Sequence, residues 1–139
     1  MPEFHEIYAF LSKASGVSEA QLSPSADLEC DLGITGDDFF ELVEQFSNEF
    51  HVDMSTYRWY FHHGEEVTFN PGALFFKPPN RQVRHIPVTP QLLLEAANSG
   101  RWPVTYPTHR LNERRNDILA TYALLVIGGL AILFALLRG

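Results

Sequence analysis

From Ile118 to Leu137 the chain runs for 20 residues without a charge, ILATYALLVIGGLAILFALL, and no other stretch limits the fold as much. At about 1.5 Å of rise per residue it makes a helix roughly 30 Å long, the thickness of a bilayer's hydrocarbon core. Buried inside a soluble fold, such a helix needs cover on every side, and a chain of 139 residues supports only one modest core. The sequence therefore predicts a transmembrane helix over 118–137. His109, Arg110, Arg114 and Arg115 precede this run, against Arg138 alone beyond it. The positive-inside rule then keeps the preceding residues in the cytoplasm. Gly128, Ala131 and Ala135 share one face of the run, a spacing that permits a weak homodimer through the membrane helix.

Charge is divided unevenly along the chain. Residues 1–66 carry 14 Asp or Glu against 2 Lys or Arg, a net of −12, and residues 67–139 carry 3 against 8, a net of +5, which together give the −7 of the whole. The acidic part should seek basic protein surfaces and repel nucleic acid and anionic lipid. One cysteine, Cys30, allows no internal disulfide and fits a reducing compartment. The N-terminus shows no basic and apolar run of the signal-peptide kind.

Apolar spacing predicts a first helix over 3–15, with Phe4, Ile7, Tyr8 and Leu11 on one stripe and Gly16 as its stop. Val17, Leu22 and Leu28 are spaced as anchors for the long loop that follows. A second helix carries Phe39, Leu42, Val43, Phe46 and Phe50 at three- and four-residue steps; Thr35 suits its N-cap, and Asp37 and Asp38 suit the positive end of its dipole. Tyr57, Trp59, Tyr60 and Phe61 read as a core-closing turn or short third helix. Val67 to Ile86, with Asn70-Pro71-Gly72 and Pro78-Pro79-Asn80, reads as short extended pieces and turns. Thr89-Pro90 opens another helix that stops at Gly100, and 101–117 reads as a basic, proline-containing linker with Trp102 and Tyr106 able to lie at an interface.

The stretch DLECDLGITGDDFFELVEQFSNEF, Asp27 to Phe50, resembles the prosthetic-group turn of acyl carrier proteins, in which Asp-Leu-Gly is followed after two residues by Ser-Leu-Asp and an acidic helix. Asp31, Leu32, Gly33, Asp38 and Glu41-Leu42-Val43 match that pattern, and the resemblance extends from Gly16 to Val52. Gly36 occupies the serine position and Asp37 the leucine after it. The chain is similar more closely still to a bacterial family of unknown function with this Gly-Asp-Asp turn. The resemblance implies a mainly all-α fold: an acyl-carrier-like cytoplasmic domain over 1–100 with an irregular or short-strand insertion at about 62–86, the linker 101–117, and the single membrane helix. It implies a single-pass protein of the bacterial inner membrane.

Phosphopantetheine is esterified to a side-chain hydroxyl, which Gly36 lacks, so no cofactor is expected. The expected role is therefore non-catalytic: an anchored module whose acidic surface, Asp31, Asp37, Asp38, Glu41 and Glu44, docks a protein partner with a basic surface. The resemblance also leaves a second reading, a membrane-tethered carrier modified at another hydroxyl such as Thr35. His51, His62, His63 and His85 lack the paired spacing of a zinc site, and the acidic residues lack that of a calcium loop, so no metal is expected. Neither a Cys30–His nucleophile nor any phosphate-loop or HExxH pattern supports an enzyme.

Overall fold

The computed structural model describes residues 1–66, 69–112 and 114–139. It is mainly helical, with α1 at Phe4–Ser15, α2 at Gly36–Phe50, α3 at Pro90–Ser99 and α4 at Asn116–Arg138. Among the described residues there is no strand; the nearest approach is an isolated parallel bridge between Asp53 and Arg101. Helix ends fall where the sequence places its caps. Gly16 and Gly100 close α1 and α3 in the left-handed conformation, at φ +74° and +69°. The Thr89 hydroxyl accepts the Leu92 amide at 3.2 Å ahead of Pro90, meeting one of the unpaired donors at the helix start.

Ile7, Phe10 and Leu11 of α1, Phe39, Leu42 and Phe46 of α2, and Leu93 and Ala96 of α3 face one another in a common core. The long loop after α1 is held to it by Leu22, Leu28 and Ile34, all buried. Leu28 also donates its amide to the Val88 carbonyl at 2.9 Å, which ties the loop to the approach of α3. Each of the Leu, Ile and Phe side chains contributes roughly 1.5–3 kcal/mol by leaving water, and Ala96 less.

The start of the expected linker lies against the core. Residues 101–106 are part of the fold: Trp102 is buried in the core, and its indole N–H donates to the Tyr106 hydroxyl at 2.8 Å. Two aromatic residues outweigh the prolines beside them. The insertion is irregular, turning through single 3₁₀ turns at Pro71–Leu74 and Pro79–Arg81; Val67 and Thr68, at the start of the expected extended piece, lie outside the described residues.

The insertion grips the base of α4. Gly72 N donates to the Thr121 hydroxyl at 3.0 Å, that hydroxyl donates to Asn70 Oδ1 at 2.7 Å, and Asn70 Nδ2 donates to Asp117 Oδ2 at 2.8 Å. Arg115 completes the join, with two 2.8 Å bonds to Glu65 and a further pair, 3.1 and 3.0 Å, to Asp117. Asp117 and Thr121 are buried, yet α4 is exposed over nearly all the rest of its length. A core helix would be covered; this one is long and apolar enough to cross a membrane, and little of it is buried.

Candidate functional site

The turn before α2 is built largely from its own backbone and carboxylates. The Asp31 and Leu32 amides donate to the Asp27 carbonyl at 3.0 and 3.2 Å, Gly33 N donates to Glu29 O at 3.0 Å, and Ile34 N closes back on Leu28 O at 2.9 Å. Gly33 supplies the reversal, at φ +73°. Asp31 Oδ2 accepts the Asp27 amide at 2.8 Å, and Asp27 Oδ1 accepts the Glu29 amide at 3.1 Å.

Gly36, the first residue of α2, is buried and sits at φ +57°. A Cβ there meets the strain that an L residue suffers in left-handed backbone, about 1–2 kcal/mol, and collides with the side chain of Glu66. Glycine is therefore what this backbone requires. Thr35 occupies the N-cap position, but its hydroxyl makes no cap bond; it donates instead to Glu29 Oε1 at 2.9 Å. The proton of the hydroxyl thus goes to a carboxylate, a charge-assisted bond, while its oxygen accepts no helix amide.

Asp31, Asp37, Asp38, Glu41 and Glu44 are all exposed, and among the described residues none forms an ion pair. Asp37, Asp38, Glu41 and Glu44 fall within about 120° of one another around α2, on one face of the helix. Asp38 and Glu41 rim a cleft of about 180 Å³ between the end of α1, the turn and α2, walled by Val17, Leu32 and Ile34. Asp37 instead lines a groove of about 260 Å³ with Gly36, Phe40, Glu65, Arg115 and Ile118. The first turn of α2 thus stands beside the start of α4. Arg115 is shared between two carboxylates, so Arg110 and Arg114 are left as the exposed arginines before the apolar run.

Glu29, one of the acidic residues concentrated around the turn, has a role that its place in the sequence does not reveal. Its Oε1 also accepts the Gly64 amide, at 2.5 Å, and its Oε2 lies 3.5 Å from His85 Nδ1. One carboxylate therefore straps both ends of the insertion to the turn. These partners lie 35 and 56 residues away in sequence, and nothing in local spacing announces them. His85 Nε2 lies 2.5 Å from Asp27 Oδ2 and 3.7 Å from Cys30 Sγ.

Asp27, Cys30 and His85 are donor types that a metal accepts, with ligand atoms within 4.8 Å of one another. Two ligands of a tetrahedral ion with bonds near 2.0–2.1 Å stand about 3.3 Å apart. At 2.5 Å, His85 and Asp27 are instead closed on each other by a hydrogen bond. Cys30 is exposed, and slight desolvation with the carboxylates of Asp27, Glu29 and Asp31 pushes its thiol up from its ordinary value. That direction disfavours the thiolate, the form that acts as a nucleophile.

The other histidines are dispersed. His51 is exposed and caps α2 at φ +53°. His62 and His63 are buried, His63 stacked on Phe39 with ring centroids 4.4 Å apart.

Residues 3–104, well over half of the chain, match a family described as "Protein of unknown function (DUF1493)". The match stops short of α4. No curated protein and no solved structure matches the chain.

Proposed function

The chain belongs to this family of proteins of unknown function, and we propose that it is a tail-anchored, non-catalytic module of the bacterial inner membrane. On this reading its acyl-carrier-like domain faces the cytoplasm and docks a basic protein partner. The observation that carries it is the cleft rimmed by Asp38 and Glu41 and walled by Val17, Leu32 and Ile34. A Lys or Arg side chain suits such a place, because its aliphatic stem can cover apolar wall while its charged head meets carboxylates. Both carboxylates are exposed and unspent on partners within the described chain.

Gly36 supports the non-catalytic part of the reading, since it has no hydroxyl to esterify and its left-handed backbone, at φ +57°, disfavours any residue with a side chain. Thr35, the alternative attachment point, has its hydroxyl committed to Glu29. The anchor adds to the docking role by confining the acidic surface to a layer beside the bilayer, which raises its effective concentration toward membrane partners.

The double substitution Asp38→Lys, Glu41→Lys tests this. Partner capture by the full-length protein from solubilised native membranes should fall by about tenfold or more, the size of one or two lost charge contacts. Helix content by circular dichroism should stay within a few per cent of the parent, because only exposed side chains change. Capture that persists at full strength in a folded double variant rules out the cleft as the docking surface.

A further inference from the structure

The insertion exposes an unusual run of large apolar side chains: Phe69 is 66% exposed, Leu74 85%, Phe75 70% and Phe76 46%. Exposed apolar residues scattered singly need no explanation, but four within eight residues, on a segment with no apolar cover, do. Their position supplies one. Gly72 lies against the backbone of Asp117 and Thr121, and Asn70 bonds both of those side chains. Thr121 is the fourth residue of the uncharged run that begins at Ile118. Leu74 and Phe75 are two and three residues from Gly72, so the chain can carry them no more than about 7 to 11 Å from it.

We infer that Phe69 and Leu74–Phe76 form a second membrane contact, an apolar tip that enters the lipid interface alongside the first turns of α4. The occupant of this surface is lipid because the patch is continuous with the exposed apolar face of the helix it grips, where Leu119 and Tyr122 are 64% and 63% exposed. Aromatic rings favour the interfacial layer, and Lys77, Arg81 and Arg84, which follow the tip, suit anionic headgroups above it. Together with the grip on α4, this contact fixes the tilt and rotation of the domain as well as its distance from the bilayer.

This inference rests on the reading of α4 as a membrane helix, and its test separates the two. Full-length protein with Cys30→Ser receives one spin label at a time, through Leu74→Cys, Glu41→Cys or Leu130→Cys, and is reconstituted in vesicles of phosphatidylethanolamine and phosphatidylglycerol. Collisional relaxation by oxygen, which concentrates in lipid, is compared with that by a water-soluble nickel chelate. The label at 74 should resemble the one at 130, with the oxygen effect dominant, and differ from the one at 41. Should the label at 74 behave like that at 41 while 130 remains lipid-like, the tip does not enter the interface and the inference is overturned. A label at 130 that is water-accessible overturns the membrane reading and the inference with it.

Discussion

Acidification from pH 7 to pH 4 should destabilise the folded domain by up to roughly 3 kcal/mol, and His62 should account for most of that loss. The hydrogen bonds around this side chain leave its protons one arrangement. Tyr106 Oη receives the indole N–H of Trp102 at 2.8 Å and the Arg58 amide at 3.0 Å. Its own proton must therefore point to His62 Nε2, 2.7 Å away, and His62 must donate from Nδ1 to the Ile86 carbonyl at 2.8 Å. The imidazole is fully buried and neutral. Burial lowers its pKa from 6.5 to about 4.

Between those two values the unfolded chain takes up a proton that the folded one refuses. Stability is thus intact above about pH 6.5 and is lost as pH falls toward 4, at about 1.36 kcal/mol for each pH step crossed. His63, also lowered mainly by burial, adds in the same direction. Urea unfolding of the detergent-solubilised protein, followed by tryptophan fluorescence at pH 7 and pH 4.5, measures the effect. His62→Gln should start less stable at pH 7 and lose markedly less on acidification. Parallel pH dependence in parent and variant would contradict the assignment.

Alanine at position 72 should release the insertion from α4. A methyl group there would run into the backbone of Asp117 and Thr121, and backbone cannot rotate aside as a side chain can. The 3₁₀ turn at 71–74 must then withdraw, breaking the bonds of Gly72 to Thr121, Thr121 to Asn70 and Asn70 to Asp117. At about 1 kcal/mol for each buried hydrogen bond, the local loss is about 2–3 kcal/mol. Hydrogen exchange at the amides of 72–76 should accelerate roughly 10- to 100-fold, while the Leu28 and Ile34 amides, bonded within the core loop, keep their protection. Unchanged exchange at 72–76 would mean that the grip is not held by close backbone contact.

The helices were legible in sequence because each carries its own signals within a few residues. Phe39, Leu42 and Phe46 announce the buried face of α2, Thr89-Pro90 and Gly100 bracket α3, and the uncharged run marks α4. The exposed carboxylates of the candidate site were legible for the same reason. Contacts across long separations were not. Glu29 looks like one acid among many until the fold brings Gly64 and His85 to it. Thr35 has the chemistry of an N-cap, yet its oxygen accepts no helix amide and its proton goes to that same carboxylate. Trp102 and Tyr106 sit among prolines and arginines that suggest a free linker, yet a buried indole and a shared hydroxyl hold them to the core. The grip on α4 depends on Gly72 and Asn70 meeting Asp117 and Thr121, about 50 residues on, a pairing that no periodicity encodes.

The intact mass of the protein purified from its native membrane tests most directly the claim that this domain acts through its surface and not through a carried group. The account predicts the mass of the unmodified chain, since Gly36, at the serine position, offers no hydroxyl. An added mass matching a phosphopantetheine arm, located by fragmentation to Thr35 or any other hydroxyl, would contradict it and make the protein a working carrier.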